Sequence, residues 1–572
     1  MILFGITNDF VQKKKSEEYM LLSFDKKEDL IRFLANDTSK TTYILMRGFQ
    51  RLKRWTAIPL KPLTFLYGPN SAGKGAVFDC HCLLQTLLFQ SGSTEFKEKL
   101  KRWHRHELDL PLSIGFSVPD WRSIWGDHFF DNNLDTYWAT LDEWPTDILA
   151  FSTHDRHDAV PKRITWLVSL KSATSCVNEN MELFVNDQML ARVSETSGTN
   201  SSLVIDTSVY KKNFMDAQPE FLERCERLPT GVQDGLVELA ECDFLWPNLS
   251  KLPMMYSVSG VVNDVNDVNG LLVMLFAAPL FGFCDISGYV GPIRKILSDE
   301  QLRFSFGKEK SAERQGALLE GVEGDGTDLW GYLAKSAFVH EFGGGHQGLF
   351  GYLSGRGNPG LLGEVNRWLS LPQFLGTGYQ IVSDVRLSVP AKWFRAGASF
   401  QSADLLADEG LEAVVRLSLQ DSEGRIAKLE DVGTGFSQVI PVLINALENA
   451  NRNAKYFEQP ELHLHPKLQT TLCDLFIEGK NHPDRTDSCS VIESHSEHMI
   501  LRLLQRVRET SMADIQHHRF NVTPDEISIL YFEPEGDESF AHLLRVSPDG
   551  TFVDRWPAGF FDERFEEMFN EQ

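Results

Sequence analysis

The chain has 572 residues, of which 42% are hydrophobic and 24% are charged, and this composition excludes a protein that is disordered along its whole length. At roughly 150 residues per domain, the length predicts three to four domains, or two with a large insertion. The chain has 80 acidic and 56 basic residues, and a net charge of −24 argues against nonspecific binding of nucleic acid, although a local basic groove stays open.

The cysteines and the apolar runs indicate a reducing compartment and no membrane span. The eight cysteines are scattered without a CxxC pair, which is typical of buried thiols. The N-terminus lacks the charged, apolar and small-residue parts of a signal peptide. The longest apolar run, at 271–284, contains a proline and a glycine and is shorter than the roughly 20 residues that span a bilayer. We expect a cytoplasmic protein.

The first 120 residues predict a short extension followed by strands and a helix. Residues 1–42 are interpreted as an N-terminal extension in which 26–34 have helical spacing. Residues 43–46 and 63–67 are predicted strands, and 79–89 are predicted to form a largely apolar helix.

The strongest motif lies between the second strand and this helix, in the order Gly68-Pro69-Asn70-Ser71-Ala72-Gly73-Lys74. A strand, a glycine-rich loop and a helix are the context of a phosphate-binding loop, where backbone N–H groups and the helix dipole face the phosphates. Lys74 would supply the positive charge. The predicted nucleotide contacts are Asn70, Ser71, Ala72, Gly73, Lys74, Gly75 and Ala76. The alternative is a glycine turn that merely precedes a helix.

Position 75 departs from the usual motif. A serine or threonine normally follows the lysine, and its hydroxyl binds Mg²⁺. Gly75 has no side-chain oxygen. We therefore expect a nucleotide to bind, while Mg²⁺ positioning and hydrolysis are weakened.

The later part of the chain predicts three amphipathic helices and no long coiled coil, because heptads are not sustained anywhere. The apolar faces consist of Val439, Val442, Leu443, Ala446 and Leu447; of Leu468, Leu472, Leu475 and Phe476; and of Ile500, Leu503, Leu504 and Val507.

A short apolar strand before the second of these helices ends in carboxylates. Glu458 occupies the position that holds Mg²⁺ in P-loop sites, and Gln459 stands where a catalytic glutamate is usual. Glutamine can orient a water molecule but cannot take its proton, so Glu461 is a candidate substitute. His463 and His465 are candidate metal ligands, with a structural turn as the alternative.

Two further segments complete an ordered set. The segment 431–438, which we call the signature segment, places Gly435, Ser437 and Gln438 at a predicted helix start, where an anion can bind. His495 follows another predicted strand and is a candidate contact for a γ-phosphate, with an ordinary surface histidine as the alternative.

The order of these motifs resembles an ABC-type ATPase of the SMC, RecF and OLD branch. It is most similar to bacterial stand-alone ATPases described as AAA or ABC ATPases with a C-terminal domain of unknown function. The resemblance also covers 289–294, 324–327 and 365–369. It implies an α/β fold: a P-loop NTPase of the ABC/SMC-head type with a large mixed α+β insertion. The head would comprise 43–120 and 375–572, with 121–374 as the insertion or lid.

The resemblance also implies ATP and Mg²⁺ as cofactors and a nucleotide sandwiched between two heads, hence at least a homodimer. The 74 residues after His498 are too few for the toprim nuclease domain of OLD proteins plus the closing ATPase elements. Such toprim-less ATPases resemble the ATPase subunits of two-component antiphage systems, including Septu-like ones, in which a separate nuclease cuts.

Two functions follow as hypotheses. One is an ATP-dependent switch for a partner effector. The other is a RecF-like DNA-repair ATPase that binds DNA itself through basic residues near 47–54 and 97–105, for which ordinary solvated surface is the alternative. A scaffold that has lost nucleotide binding is a third interpretation, which Gly75 permits.

Overall fold

The architecture is described by a computed structural model. The described residues are 20–89, 112–119, 163–170, 178–197, 200–206, 208–209, 232–233, 236–242, 286–294, 303–306, 327–342, 360–388, 411–429, 434–448, 454–482, 488–512 and 519–554. The chain divides into two compact units. Unit 1 comprises Met1–Lys61, Gly68–Asp285 and Leu530–Leu543, and unit 2 comprises Pro62–Tyr67, Ile286–Ile529 and Leu544–Gln572. The domain boundaries expected from the sequence stay a prediction.

The described residues form 21 strands and seven α-helices. The strands are β1 (Met20–Leu21), β2 (Ser23–Phe24), β3 (Thr42–Arg47), β4 (Trp55–Leu60), β5 (Leu63–Tyr67), β6 (Leu112–Val118), β7 (Ile164–Leu170), β8 (Asn178–Val185), β9 (Gln188–Ser197), β10 (Asn200–Asp206), β11 (Val232–Gln233), β12 (Leu236–Cys242), β13 (Ile286–Val290), β14 (Arg303–Phe306), β15 (Tyr379–Ser388), β16 (Leu411–Asp421), β17 (Ile426–Ala427), β18 (Ala454–Glu458), β19 (Cys489–Glu493), β20 (Ile527–Glu535) and β21 (Glu538–Leu544). The helices are α1 (Lys27–Asn36), α2 (Ala76–Phe89), α3 (Thr327–Phe342), α4 (Leu361–Ser370), α5 (Thr434–Leu447), α6 (Pro466–Lys480) and α7 (Glu497–Met512).

Unit 2 contains a parallel sheet that carries two of the predicted motifs at strand ends. Its strands pair in the order β13-β18-β19-β5, and every pairing is parallel. All five residues of β5 are buried, as expected for a strand of a parallel sheet that is covered on both faces. Because the strands are parallel, their carboxyl ends lie at one edge, the usual position of a binding site in an α/β fold.

The helices of unit 2 bury the apolar faces that the sequence predicted. On α5 and α7, Val439, Val442, Leu443, Ile500 and Leu503 are all nearly inaccessible. The helix α6 begins with a proline in its first turn, where the missing N–H costs nothing. A separate small sheet contains β14, β16 and β15 in that order, with β17 paired to β16.

Unit 1 is dominated by an antiparallel sheet in the order β11-β12-β10-β9-β8-β7-β6-β3-β4-β2. The helix α1 covers one of its hydrophobic clusters, because Leu30, Ile31 and Leu34 are buried together with Tyr43 and Trp55. In the same unit, β1 pairs with β21 in the antiparallel sense.

The predicted elements are confirmed with small shifts of their ends. The helix predicted at 79–89 begins earlier, at Ala76, because the Asp79 N–H already forms an α-helical hydrogen bond with the Gly75 carbonyl at 3.1 Å. The thiols of Cys80, Cys82 and Cys473 are buried as expected, whereas Cys489 is partly exposed. In the described part of the chain, no helix is long and apolar enough to cross a membrane.

Candidate functional site

The phosphate loop, residues 68–76, follows directly after β5 and precedes α2. Three of its residues have left-handed backbones: Gly68 at φ +139°, Ser71 at φ +62° and Gly73 at φ +96°. A Cβ atom on Gly68 would lie 2.6 Å from the carbonyl oxygen of Phe532, so only glycine fits there. The loop therefore has the tight, glycine-dependent backbone that a phosphate site requires.

Lys74 is buried beneath the loop, with 4% of its surface exposed. Its Nζ donates hydrogen bonds to the carbonyl oxygens of Gly68 at 3.1 Å and Pro69 at 2.9 Å. The ammonium group is therefore held in place by the loop backbone, where it can meet a phosphate. Asn70 and Ser71 are exposed on the loop, whereas Ala72, Gly73 and Ala76 are buried.

Gly75 ends the loop and begins the helix, since its carbonyl accepts the Asp79 N–H at 3.1 Å. A Cβ atom at this position would meet nothing within 4 Å. Packing therefore does not require glycine at this position. The effect of the glycine is chemical, because position 75 has no side-chain hydroxyl that could bind Mg²⁺.

A turn without a predicted role packs beside the phosphate loop. Within residues 48–52, the Gly48 N–H donates to the Leu52 carbonyl at 2.9 Å. Gln50 donates from Nε2 to Oδ2 of Asp79 at 2.8 Å. A Cβ on Gly73 would be 3.8 Å from Leu52, so the turn limits the space around the loop. The available signal was a glycine, Gly48, shortly after the predicted strand 43–46.

Two of the four basic residues in and beside this turn are paired with carboxylates. Lys53 pairs with Asp537 at 2.5 Å, and Arg54 pairs with Asp25 at 2.7 Å and with Glu538 at 3.1 Å. Of the two other arginines that we considered for DNA binding, Arg51 donates to the Gly536 carbonyl and Arg47 lies over the Trp55 ring at 5.6 Å. The second basic segment, 97–105, lies outside the described residues.

The carboxylate turn, residues 458–461, lies at the carboxyl end of β18. Glu458 and Gln459 are half-buried. Gln459 has a left-handed backbone at φ +44°, and its N–H donates to the Glu493 carbonyl at 2.8 Å. A non-glycine residue with positive φ stores backbone strain and persists only where its surroundings hold it firmly. Such residues are common at functional sites.

Glu461 is buried next to the end of β19. Its Oε1 accepts the His495 backbone N–H at 2.7 Å, while Oε2 is buried and has no hydrogen-bond partner among the described residues. Burial raises the pKa of Glu461, although hydrogen bonds and the Arg294 charge oppose that increase. A buried carboxyl group with a raised pKa and an unsatisfied oxygen can accept a proton, which is the chemistry expected of a general base.

The histidines have different roles in the structure. His495 is half-buried, with its backbone bound to Glu461. His465 caps α6, since its Nδ1 accepts the Lys467 N–H at 3.3 Å, and His463 is exposed with φ +64°. Within the described ranges, no group of three or more His, Cys, Asp and Glu side chains could hold a metal ion.

The described part of the signature segment begins at Thr434 and forms the first turn of α5. A Cβ on Gly435 would lie 3.2 Å from the His463 carbonyl, so this turn packs closely on the loop that follows the carboxylate turn. Gln438 is half-buried, and its Nε2 donates to the Arg294 carbonyl at 3.0 Å. The position of the Ser437 side chain lies outside the described residues.

Unit 2 thus brings together Glu458, Gln459, Glu461, His495, Gly435 and Gln438, while the phosphate loop belongs to unit 1. Magnesium is implied by the fold, and the residues fit it in part. The Glu458 carboxylate is a ligand of the type that Mg²⁺ prefers, but position 75 offers no side-chain oxygen. The phosphate loop and Lys74 fit a nucleotide.

The comparisons with known proteins agree with this geometry. A family model described as "AAA ATPase domain" matches residues 372–500, which contain α5, β18, the carboxylate turn and β19. The fold is that of a P-loop ATPase. A second family model, described as "Protein of unknown function (DUF3696)", matches residues 522–570. No curated protein matches the chain.

Solved structures of SMC head domains also show similarity. One is an SMC head bound to the C-terminal winged-helix domain of ScpA, with 8% identity and a TM-score of 0.36, covering 88% of this chain and 98% of that one. A second, from Pyrococcus furiosus and bound to the C-terminal domain of ScpA, has 10% identity and a TM-score of 0.32, with coverages of 88% and 96%. A third, from Pyrococcus yayanosii, has 11% identity and a TM-score of 0.32, with coverages of 90% and 98%.

Proposed function

We propose that the protein is an ATP-dependent switch: ATP bound at the phosphate loop closes two copies of the chain, and this closure controls a separate effector. The observation that carries the proposal is the buried Lys74 ammonium, held by loop carbonyls in a glycine-dependent turn. A match to an ATPase domain over 372–500 supports it. Slow hydrolysis is part of the proposal, because Gly75 and Gln459 replace two groups that usually promote it.

The first test is ATP binding through Lys74. Replacing Lys74 with alanine should weaken ATP binding roughly 10- to 150-fold, because hydrogen bonds to charged groups contribute about 1.5–3 kcal/mol. Titration calorimetry measures the affinity, and Lys26→Ala, which removes an exposed lysine at the start of α1, is the matched control. Equal affinities of the wild type and Lys74→Ala would refute the nucleotide site.

The effector of the switch is proposed to be a nuclease in antiphage defence. This rests on the resemblance to toprim-less ATPase subunits of two-component systems. Co-expression with the products of neighbouring genes, followed by purification with and without ATP, tests it. A stable complex with a nuclease would support the assignment, and neighbouring genes for DNA repair would favour the RecF-like alternative.

The RecF-like alternative receives less support from the described residues. The basic turn near 47–54 would need free positive charges to neutralise phosphates. Its lysine and one arginine are instead paired with Asp25, Asp537 and Glu538. A gel-shift measurement with duplex DNA at low salt decides this point. If the wild type binds DNA and the substitutions Lys53→Ala and Arg54→Ala abolish that binding, the RecF-like alternative is restored.

A further inference from the structure

We propose that Arg294 is a positioning residue that couples the first turn of α5 to the carboxylate turn. Arg294 follows β13 by four residues and is buried, with 4% of its surface exposed. Its role in catalysis rests on the proposed function, whereas its role in joining the two segments does not.

The guanidinium of Arg294 binds backbone oxygens of both segments. Nη2 donates to the carbonyl of Glu458 at 2.9 Å and to that of Gln459 at 3.0 Å. Nη1 donates to the carbonyl of Gln438 at 3.3 Å, and Gln438 Nε2 returns a bond to the Arg294 carbonyl at 3.0 Å. One planar fork therefore joins the helix that carries the signature segment to the strand that carries the acidic residues.

Arg294 adds hydrogen bonds to two segments whose backbones depart from regular structure. Pro441 lies inside α5 and has no N–H, so it cannot bond the carbonyl of Ser437 four residues earlier, and the first turn is held less firmly by the helix itself. In the carboxylate turn, the N–H of the left-handed Gln459 is held by the Glu493 carbonyl, and its carbonyl oxygen accepts hydrogen bonds from Arg294 and from the Leu462 N–H at 3.1 Å. Both segments thus depend on the same side chain.

The charge of Arg294 is retained at neutral pH. Burial lowers the pKa of its guanidinium to about 10, and the nearby carboxylates of Glu461 and Glu458 oppose that decrease. Arg294 forms its described hydrogen bonds with carbonyl oxygens and not with a carboxylate, as expected of a group that fixes backbone geometry. A displacement of the signature turn on nucleotide closure would therefore be transmitted to Glu458 and Gln459.

The test compares Arg294→Lys, which keeps the charge and loses the fork, with Arg367→Lys. Arg367 lies in the same unit, pairs with Glu478 at 2.5 Å and does not bind either segment in the described contacts. Without nucleotide, Arg294→Lys should increase amide hydrogen exchange about tenfold in both 434–439 and 458–462, while Arg367→Lys leaves both unchanged. Unchanged exchange in either segment of Arg294→Lys would overturn the proposal.

A second variant keeps the test decisive if Arg294→Lys folds poorly. Gln438→Ala removes the hydrogen bond from Gln438 Nε2 to the Arg294 carbonyl. It should increase amide hydrogen exchange in both segments, to a smaller extent than Arg294→Lys. An effect confined to 434–439 would also overturn the proposal. In single-turnover hydrolysis, Arg294→Lys should keep ATP affinity within about threefold while the rate falls about tenfold; a rate equal to that of the wild type would refute the catalytic consequence. If the wild type does not bind ATP, the proposed function fails while the exchange measurement still decides the coupling.

Discussion

At the scale of single residues, Gly75 is a position where a side chain would change the chemistry of the site without disturbing the packing. The open space around its Cβ position means that serine can enter without displacing a neighbour. We expect Gly75→Ser to raise single-turnover ATP hydrolysis at saturating Mg²⁺ at least tenfold, because one preorganised group of this kind commonly contributes about 10²–10³ in rate.

Gly75→Ala is the control for this substitution, because it adds the Cβ atom without a hydroxyl. It should leave hydrolysis at the wild-type rate. Equal rates for the serine and alanine variants, or a wild-type rate of several per second, would contradict the view that a missing magnesium ligand limits turnover.

A second residue, His81, predicts a pH dependence of stability. His81 is fully buried in α2, and burial lowers its pKa from 6.5 to about 3. Near pH 6.5 this histidine therefore gains a proton in the unfolded chain but stays neutral in the folded chain. The free energy of unfolding decreases as the pH falls from 6.5 towards 3. One such group contributes a slope of at most about 1.4 kcal/mol per pH unit.

Urea unfolding between pH 7 and pH 4.5 measures this slope. His81→Leu should lose less stability on acidification than the wild type. The control is His463→Asn, which should keep the wild-type slope. His463 is exposed and has a left-handed backbone, a conformation that asparagine tolerates. Parallel curves for the wild type and His81→Leu would refute the prediction.

At the scale of elements, β13 packs closely against the last turn of α5. A Cβ on Gly288 would lie 1.9 Å from Oδ1 of Asn445, whose Nδ2 donates to the Tyr456 carbonyl at 3.4 Å. Gly288→Ala should therefore destabilise the protein by about 1–3 kcal/mol, the usual cost of overpacking. Adding Asn445→Ala should recover part of the loss, since it removes the clashing atom.

Gly363→Ala is the matched control in the same unit. Gly363 lies within α4, and its Cβ position has no neighbour within 4 Å. Alanine there should stabilise the protein by about 0.5–1 kcal/mol, because glycine weakens a helix interior. Both substitutions replace glycine with alanine, and chemical denaturation measures the change in the free energy of unfolding that each causes. Changes of the same sign for both variants would contradict the packing argument.

Many helices and strands were predictable because the spacing of apolar residues along the sequence reflects which face of an element is buried. The faces of α5, α6 and α7 and the strand β5 were found in this way, and so was the phosphate loop, whose glycines and lysine have a fixed order. Arg294 was not identified as a functional residue, because its partners are backbone carbonyls of residues more than 140 positions away. The turn at 48–52 was missed for the same reason: the pairing of Gln50 with Asp79 has no periodic signature.

At the scale of the whole molecule, the proposed closure of two heads predicts complementation between defective subunits. In a dimer in which Ser437 of one copy contacts the nucleotide of the other, mixing Lys74→Ala with Ser437→Arg leaves one composite site intact and places both lesions in the other. The mixture should recover up to half of the wild-type ATP binding, while neither variant alone binds.

The measurement is ATP binding to mixed dimers isolated with two different affinity tags. A mixture of Lys74→Ala with a second, differently tagged copy of Lys74→Ala is the control and should stay inactive. Verified mixed dimers without any recovery would show that Ser437 does not act on the neighbouring nucleotide.

The parallel pairing of β5 with β19 has a consequence for the synthesis of this chain. Thr64 and Cys489 lie in contact in the folded protein, yet 425 positions separate them in the sequence. At about 5–20 residues per second, a ribosome needs roughly 20–85 s to produce β19 after β5 has been made. Throughout that interval β5, which is wholly buried in the folded protein, lacks this partner on the nascent chain. We infer that the newly synthesised protein depends on chaperone protection until its C-terminal third has emerged.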